Sequence, residues 1–233
     1  SDVCSSDLNH IAYAGHLEIN PVDYQNQLFE NSDFIIVLGS RLDGITSREE
    51  TLIPAEKKWA HIHPDSEILE RFSASIQLQS DASVLLFEIL KHLKTRSDDN
   101  FLWRSKAHDN YIKFSTPGAY PVEGLVDLSV VASTARELLP SDAIVLTDGG
   151  SYARWVHRFF RYDASLTQGG TASGAMGAGV PGAIGAALAS NDDRIIVAFA
   201  GDGGFMMNGQ ELSTALREQI PIKIIVCDNN VHG

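Results

Sequence analysis

Two short polar motifs that could bind a divalent cation follow apolar runs near the carboxyl end of the sequence. Gly201-Asp202-Gly203 follows residues 194–200, and Asp228-Asn229-Asn230 follows residues 222–227. A carboxylate and an amide oxygen are hard ligands that suit Mg²⁺ or Ca²⁺, and glycines let backbone N–H groups approach a phosphate closely. Each motif alone is also typical of an ordinary turn. Together, at the ends of strands joined by one helix, they predict a site for a diphosphate bridged through a cation.

A glycine-rich tract at residues 169–185 leads into a predicted helix, which favours either an anion at the helix N-terminus or close packing of the helix. Residues 177–182 match G-x-G-x-x-G, and Asp202 lies 20 residues further on, as in the dinucleotide fingerprint. That fingerprint requires a strand immediately before Gly177, whereas residues 167–175 are polar and glycine-rich and are not expected to form one. A dinucleotide-dependent oxidoreductase is therefore the third hypothesis, and it leaves Asn229 without a role.

The elements that must position these motifs are short apolar runs, bounded by turn residues, which predict strands buried on both faces of a sheet. The runs lie at residues 34–38, 59–63, 143–147, 194–200 and 222–227. Helical patterns lie between them, at residues 21–30, 81–93, 125–139, 182–189 and 210–218, with Asp81 as a candidate N-cap. This alternation predicts parallel sheets, so the expected fold class is α/β with two doubly wound, Rossmann-like units.

Residues 94–123 interrupt the alternation with a charge-rich stretch, one short helical piece near residues 101–114, and STPGAYP. The predicted division is a partial central domain at residues 9–95, a linker at 96–122, and a diphosphate-binding domain at 123–233. Residues 1–8 are polar and aperiodic, and are set aside as a cloning or sequencing scar. Because the sequence stops just after a predicted core strand, we expect a fragment truncated on both sides.

Composition excludes several classes of function. The chain has 233 residues, of which 44% are hydrophobic, so it can bury a core and is not expected to be disordered. A net charge of −12 argues against nucleic acid and anionic membranes as partners. No apolar stretch is long enough for a transmembrane helix, and no secretory signal is evident. Two widely separated cysteines predict neither a disulfide framework nor a zinc cluster, so the expected compartment is the cytoplasm.

Residues 201–230, GDGGFMMNGQELSTALREQIPIKIIVCDNN, resemble the thiamine diphosphate motif, which begins with GDG and ends with NN. Asp202 and Asn229 are 27 positions apart, the separation expected from that motif. Residues 147–155 (TDGGSYARW) resemble the acetolactate synthase segment TDVGQHQMW, and residues 174–185 (GAMGAGVPGAIG) resemble GTMGFGLPAAIG.

The upstream half resembles the central domain of the same enzymes. Residues 33–44 (DFIIVLGSRLDG) and 60–64 (AHIHP) are similar to the patterns DLLIAVGARFDD and IHIDIDP. The resemblance therefore covers nearly everything after residue 9, and it implies a thiamine diphosphate enzyme of the acetolactate synthase type.

The resemblance also implies site residues. Asp202 and Asn229 would bind Mg²⁺ through side-chain oxygens and Val231 through its carbonyl oxygen. The other implied cofactor-binding residues present backbone N–H groups to the diphosphate (Gly203, Gly204), line the same end of the cofactor (Gly149, Gly150, Ser151) or prop it in a bent conformation (Met176). Met176 is alternatively a gap-filling core residue.

Three departures from the family pattern bear on function. Asp228 replaces the first Asn of the NN pair but leaves the metal-ligand position intact. Ser151-Tyr152-Ala153 replaces Gln-His-Gln, which puts the substrate in doubt. No segment resembles the pyrimidine-binding domain that supplies the activating glutamate, so no catalytic residue is nominated and the chain is expected to be inactive alone.

The implied activity is decarboxylation of a 2-oxo acid such as pyruvate, followed by carboligation to an acetohydroxy acid in branched-chain amino acid biosynthesis. The complete enzyme would be a homodimer or homotetramer. Alternatives are a benzoylformate decarboxylase, a 2-hydroxyacyl-CoA lyase or a non-catalytic diphosphate-binding module. FAD is a further cofactor that only some acetolactate synthases bind, and Arg41 and Asp43 are the residues that would meet it.

Four other features have competing interpretations. His61 and His63 share one side of a strand and could bind a metal, although a strand terminus is favoured. Trp155, His157 and Arg158 could reach substrate or pack at a subunit interface. Cys227 is expected to be a buried apolar residue of its strand. His232 follows the metal loop and is a weak candidate for the active site.

Overall fold

The computed structural model describes residues 8–17, 22–93, 101–118, 121–122, 124–190 and 193–229. The chain forms two compact units. Unit 1 is Ala14–Asn110, and unit 2 is Tyr111–Gly233 together with Asp2–Tyr13. The boundary falls within residues 96–122, where the sequence predicts a linker; the exact domain limits stay a prediction.

Unit 1 contains a three-stranded parallel sheet of order β1-β2-β3. Its strands are β1 (Ile35–Leu38), β2 (Trp59–His63) and β3 (Ile76–Gln79). Its helices are α1 (Asp23–Asn31), α2 (Gly44–Ser47), α3 (Ser66–Glu70) and α4 (Ala82–His92). Two of the predicted strands therefore form, while β3 was not predicted from the sequence. A further helix, α5 (Phe101–Phe114), extends across the unit boundary and confirms the short helical piece expected there.

The strands of unit 1 differ sharply in burial. In β2, which lies between two neighbours, residues 60–63 are all buried, whereas all four residues of β3 are exposed. The run at residues 34–38 was expected to be buried on both faces, and this expectation is wrong for β1, where Ile36 is 60% exposed. β1 and β3 are the edge strands of this sheet within the described residues, so each lacks a neighbour on one side.

Helix α4 begins where the sequence predicts. The Asp81 side chain accepts a 2.8 Å hydrogen bond from the Ser83 amide, so the predicted N-cap is confirmed. None of the helix's residues is buried, and several of its large apolar side chains are exposed, among them Phe87 at 63% and Leu90 at 67%.

Unit 2 contains a four-stranded parallel sheet of order β5-β4-β6-β7. Its strands are β4 (Ile144–Thr147), β5 (Gln168–Gly169), β6 (Ile196–Gly201) and β7 (Ile222–Cys227). Its helices are α6 (Leu128–Leu138), α7 (Ser151–Phe159), α8 (Gly179–Ala189), α9 (Asp202–Asn208) and α10 (Leu212–Arg217), with a 3₁₀ turn at Gly209–Glu211. The expected α/β class with two parallel-sheet units is therefore confirmed.

Both faces of the unit 2 sheet are covered by its own helices. Val145, Val197 and Phe199 pack into one cluster with side chains of α6 and α7. The alternate residues of the same strands, including Ile144 and Ala198, pack on the other face with Ala183 of α8. Because successive strand residues point to opposite faces, two helical layers bury an unbroken apolar run completely. This is the burial that the sequence predicts for β4 and β6.

Two features of unit 2 depart from the expectation. Residues 167–175 were expected to contain no strand, but β5 forms a two-residue pairing with β4 through Val145 and Leu146. Residues 202–208 form helix α9 although the segment contains two glycines, which are poor helix formers.

Among the described residues, no helix combines the length and apolar character that would let it cross a membrane.

Candidate functional site

The carboxyl ends of β4, β6 and β7 lie side by side and bring three sequence motifs to one edge of the unit 2 sheet. Gly201 at the end of β6 is in register with Cys227 at the end of β7, so Asp202 and Asp228 follow directly on neighbouring strands. Thr147 at the end of β4 is in register with Phe199 of β6. The crevice beyond the carboxyl ends of parallel strands is where open α/β sheets bind ligands.

Asp202 is the first residue of α9, with Gly201 as the N-cap in an extended conformation. Its side chain is partly buried and makes no hydrogen bond or ion pair in the described part of the chain. Gly203 and Gly204 follow it in the first turn, where helix amides have no intrahelical acceptor. This edge therefore presents a free carboxylate beside N–H groups that can donate hydrogen bonds to an anion.

The other predicted metal ligands lie along β7 and beyond. Asn229 is the second residue after β7, and Asp202 is the first residue after the adjacent parallel strand β6. Both therefore lie at the same edge of the sheet. Val231, which was expected to contribute its carbonyl oxygen, and His232 both lie outside the described residues.

The glycine turn after β4 connects the strand to α7. Gly150 is the N-cap of α7 and Ser151 is its first residue, exposed to solvent. The Gly149 amide donates a 3.1 Å hydrogen bond to the Ala175 carbonyl oxygen. Gly149 therefore ties the end of β4 to the loop that contains Met176.

Asp148, between β4 and this turn, is a residue that the sequence reasoning did not nominate. It is only 4% exposed, although it has a carboxylate side chain. Its Oδ1 accepts a hydrogen bond from the Tyr152 hydroxyl, and its Oδ2 accepts a 2.8 Å hydrogen bond from the Gly177 amide. A buried carboxylate must be hydrogen-bonded to be tolerated, and here both oxygens are.

Tyr152 completes this buried network from the first turn of α7. Its hydroxyl oxygen accepts a 3.0 Å hydrogen bond from the Asp148 amide and lies 2.9 Å from the Phe199 carbonyl oxygen on β6. Burial, reinforced by the hydrogen bond that the hydroxyl donates to the Asp148 carboxylate, raises the pKa of Tyr152 well above its usual 10.0. The hydroxyl therefore stays protonated and acts as a fixed donor.

Gly177 is held on both sides of its peptide unit. Asp148 accepts from its N–H, and the Asn208 side-chain amide donates a 2.8 Å hydrogen bond to its carbonyl oxygen. Gly177 has a φ of +83°, a conformation that favours glycine. Met176, the predicted cofactor prop, thus lies between two residues that are held by hydrogen bonds. Ala175 accepts one from the Gly149 amide, and Gly177 makes two, one through its N–H and one through its carbonyl oxygen.

Close approach of the Asp148 side chain explains Gly204. A Cβ atom at this position would lie 2.5 Å from Oδ2 of Asp148 and 3.1 Å from its Cγ. A methyl group would therefore displace the buried carboxylate that holds the Met176 loop. The glycines of the GDGG motif thus serve packing within the site as well as access to its backbone.

Several other sequence candidates have structural partners. The His61 ring nitrogen Nε2 lies 2.8 Å from the Ser40 carbonyl oxygen, and His63 Nδ1 accepts from the Asp65 amide at 3.1 Å. The described residues contain no group of three or more His, Cys, Asp or Glu side chains that could hold a metal. One ring nitrogen of each histidine is therefore engaged, and the interpretation as a strand terminus stays a prediction.

The aromatic and basic residues of α7 are likewise engaged. Arg158 lies 3.4 Å from the Phe114 ring centroid and donates a 2.7 Å hydrogen bond to the Phe114 carbonyl oxygen. His157 Nε2 lies 3.1 Å from Thr147 Oγ1, and Trp155 stacks on Phe159. Arg158 thus anchors the end of α5.

In unit 1, Asp43 caps α2 by accepting a 2.8 Å hydrogen bond from the Thr46 amide, which is the main cause of its lowered pKa. In unit 2, Cys227 is a free, partly buried cysteine beside the main core cluster, and burial raises the pKa of its thiol.

Residues 170–176, immediately before Gly177, contain no strand, so the dinucleotide fingerprint lacks its required context.

The residues present fit a magnesium-bridged diphosphate. An uncommitted carboxylate and an amide side chain follow adjacent parallel strands, and both offer the oxygen ligands that Mg²⁺ prefers. The first-turn amides of α9 lie beside them, and a helix N-terminus favours negative charge. The predicted metal ligands are one carboxylate, one side-chain amide and one backbone carbonyl. Such a site would not contain three His, Cys, Asp or Glu side chains.

Comparisons with known proteins agree with this geometry. Residues 148–233 match the family described as "Thiamine pyrophosphate enzyme, C-terminal TPP binding domain". Acetolactate synthase 3, chloroplastic, of Brassica napus is 32% identical over 219 residues, which are 90% of this chain and 33% of that protein. The acetolactate synthase large subunit of Lactococcus lactis is 33% identical over 213 residues, 89% of this chain and 36% of that protein.

A third relative, the acetolactate synthase isozyme 1 large subunit of Escherichia coli, is 29% identical over 228 residues, 96% of this chain and 40% of that protein. The chain spans about a third of the length of the curated relatives it matches. Residues 148–233 therefore match the C-terminal TPP-binding domain family of thiamine pyrophosphate enzymes, and about nine tenths of the chain is similar to acetolactate synthases.

Proposed function

We propose that this chain is the cofactor-holding part of a thiamine diphosphate- and Mg²⁺-dependent enzyme that joins two 2-oxo acids, as an acetolactate synthase does. The observation that carries the proposal is the convergence of three motifs at one sheet edge. The Asp202 turn, the Asn229 turn and the glycine turn before Ser151 follow three adjacent parallel strands.

Each residue group has a role that follows from its chemistry. Asp202 and Asn229 hold Mg²⁺ through a carboxylate and an amide oxygen, with Val231 as the proposed third protein ligand. Gly203 and Gly204 present first-turn N–H groups to the diphosphate, and the helix dipole of α9 favours its charge. Gly149, Gly150 and Ser151 line the same end of the cofactor, and Met176 supports its bend.

Bound thiamine diphosphate supplies the electron sink that lets a 2-oxo acid lose carbon dioxide. This chain's residues orient the cofactor and neutralise its charged end. The acid that activates it is not among the residues nominated here, so this chain alone is expected to bind the cofactor without turning over pyruvate.

The wider assignments are also proposals. We propose a homodimer or homotetramer for the complete enzyme, a place in branched-chain amino acid biosynthesis, and the cytoplasm as its compartment. FAD is not part of the proposal. Of the two residues that would meet it, Asp43 accepts a hydrogen bond from the Thr46 amide as the N-cap of α2.

A second substrate class is the alternative. Tyr152 and Ala153 replace two polar residues of the synthase segment, and both are buried in the core cluster of unit 2. The polar side chains of Gln-His-Gln are therefore missing at these two positions, and benzoylformate, an aromatic 2-oxo acid, is the alternative substrate to compare with pyruvate.

The test uses a polypeptide of the relatives' length that contains this chain, supplied with thiamine diphosphate, Mg²⁺ and either pyruvate or benzoylformate. We expect carbon dioxide release and acetolactate formation from pyruvate, lost in Asp202→Asn and retained in Asp193→Asn. Asp193 is an exposed carboxylate that precedes the same strand, β6, at its opposite end. Turnover of benzoylformate alone would favour the decarboxylase, and turnover of neither substrate would contradict the proposal.

A further inference from the structure

We propose that Asp148 and Asn208 are positioning residues that set the placement of Met176, and through it the bend of the bound cofactor. The inference rests on the proposed function, since it assigns a second layer of residues to the same site. Neither residue is among those nominated from the sequence.

The loop at residues 170–178, which contains Met176, has no helix or strand. A loop of this kind is not held by a ladder of its own, so its conformation depends on bonds to the surrounding elements. Three such bonds flank Met176. The Ala175 carbonyl oxygen accepts from the Gly149 amide, and the Gly177 peptide is bonded through both its N–H and its C=O.

The two side chains that hold Gly177 come from different elements. Asp148 follows β4, and Asn208 ends α9. Asp148 is itself fixed by Tyr152, and the space around its carboxylate is limited by Gly204, where an added Cβ would lie 2.5 Å from Oδ2. The loop is therefore tied to the turn after β4, which contains Gly149 and Gly150, and to the last residue of α9, the helix whose first turn contains Gly203 and Gly204.

Different residues therefore act on different parts of the cofactor. Asp202 acts on the charged diphosphate end through the metal. The loop acts on the apolar middle of the cofactor through Met176, because a methionine side chain can offer packing but no charge. Loss of a loop bond should therefore weaken binding of the whole cofactor while leaving binding of its diphosphate end intact.

The first measurement is hydrogen–deuterium exchange on the chain without cofactor, which tests the holding of the loop alone. The variants are Asp148→Asn, which removes one acceptor, and Asn208→Asp, which removes the donor without changing size. Gln219→Glu is the matched control, since it makes the same amide-to-carboxylate change at an exposed position after α10. For Asp148→Asn and Asn208→Asp we expect about tenfold faster exchange in the peptide that contains Met176 and Gly177, with unchanged exchange in β4 and β6. Gln219→Glu, the control for Asn208→Asp, should have no effect.

The second measurement compares two ligands on the same proteins, each with Mg²⁺: thiamine diphosphate and inorganic diphosphate. We expect Asn208→Asp and Met176→Ala to raise the Kd for thiamine diphosphate about tenfold and to change the Kd for inorganic diphosphate less than twofold. Met176→Leu should restore the affinity, because it keeps a large apolar side chain. Met176→Ala should leave loop exchange unchanged, which separates the prop from the residues that position it.

The outcomes distinguish the inference from the proposed function. Equal weakening of binding of both ligands, or faster exchange throughout β4 and β6, would overturn the inference because it would indicate a general structural role. Unchanged affinity for thiamine diphosphate would overturn it because the loop would then have no effect on cofactor binding. A wild-type chain that binds inorganic diphosphate but not thiamine diphosphate, or binds neither, would contradict the proposed function and the role of Met176 with it. The exchange data would still decide whether Asp148 and Asn208 hold the loop.

Discussion

The two parallel sheets of this chain differ in how their faces are covered. In unit 2, Phe199 on β6 is 1% exposed between the sheet and α7, and Ala183 of α8 is fully buried on the opposite face. In unit 1, α4 has no buried residue, and Ile76 on β3 is 55% exposed. The described clusters of buried apolar side chains all lie in unit 2.

This difference links stability to function within one chain. A site built from turns at strand ends needs a rigid sheet, because small shifts of the strands would separate the groups that must act together. The candidate site lies on the sheet that is covered on both faces. The less covered sheet of unit 1 ends in loops whose charged residues, such as Asp43, cap their own helices.

The largest expected effect separates the cores of the two units. Phe199→Ala should reduce the free energy of unfolding of unit 2 by about 3–5 kcal/mol, because it leaves a cavity under α7. Phe87→Ala on α4, where the ring is 63% exposed, should cost less than about 0.5 kcal/mol. Hydrogen exchange would measure each unit separately. A comparable loss for Phe87→Ala would break the comparison, since it would mean that α4 is covered in solution.

A smaller effect concerns crowding at the carboxyl edge of the unit 2 sheet. Gly204→Ala should destabilise unit 2 by about 2 kcal/mol, because its methyl group meets the buried Asp148 carboxylate. Gly185→Ala is the matched control: it also lies in a helix of unit 2, but an added Cβ meets nothing within 4 Å. That variant should be neutral or more stable by up to about 1 kcal/mol, since alanine favours helix. Urea unfolding would measure both, and equal effects would show that Asp148 yields easily.

The smallest expected effect is a pH dependence of opposite sign in the two units. The Ser83 hydroxyl and amide hold the pKa of Asp81 below its usual 3.8, so this N-cap contributes stability above that pH and loses it as the pH falls. Tyr152 has a raised pKa, so its contribution is present below pH 10.0 and is lost as the pH rises further. Unit 1 should therefore weaken in acid through Asp81, and unit 2 in alkali through Tyr152.

Two variants isolate these contributions. Tyr152→Phe should cost about 2 kcal/mol at neutral pH, because Asp148 loses a donor. It should also flatten the alkaline decline of unit 2 by up to about 1 kcal/mol per pH unit above pH 10. Asp81→Asn should flatten the acid limb of unit 1. Urea unfolding between pH 3 and 11 would measure both, and an alkaline limb that persists unchanged in Tyr152→Phe would contradict the buried network.

The strands that the sequence predicts best are mostly apolar runs that end at turn residues. The bounds of β2 and β7 agree with the runs at residues 59–63 and 222–227. β3 was missed because the prediction rested on unbroken apolar runs, whereas IQLQ has only two apolar residues, each followed by a glutamine. α9 was missed because glycines disfavour helix locally, and close packing against Asp148 stabilises it instead.

The candidate site divides in the same way. The turns that contain Asp202 and Asn229 are visible in the sequence because each follows an apolar run. The bonds of Asp148 and Asn208 to Gly177 are not, since they join residues 29 and 31 positions apart through the folded sheet. A carboxylate between an apolar run and a glycine turn, four residues before a tyrosine, is the signal that could have indicated Asp148.

The most direct test of the account is a calorimetric titration of the chain with thiamine diphosphate in the presence and absence of Mg²⁺, using Asp202→Asn and Asp193→Asn. These two variants make the same change at opposite ends of β6. We expect Mg²⁺-dependent binding of thiamine diphosphate that is retained in Asp193→Asn and lost in Asp202→Asn. Folded wild-type chain without Mg²⁺-dependent binding, or equal binding by the two variants, would contradict a cofactor site at the carboxyl edge of the unit 2 sheet.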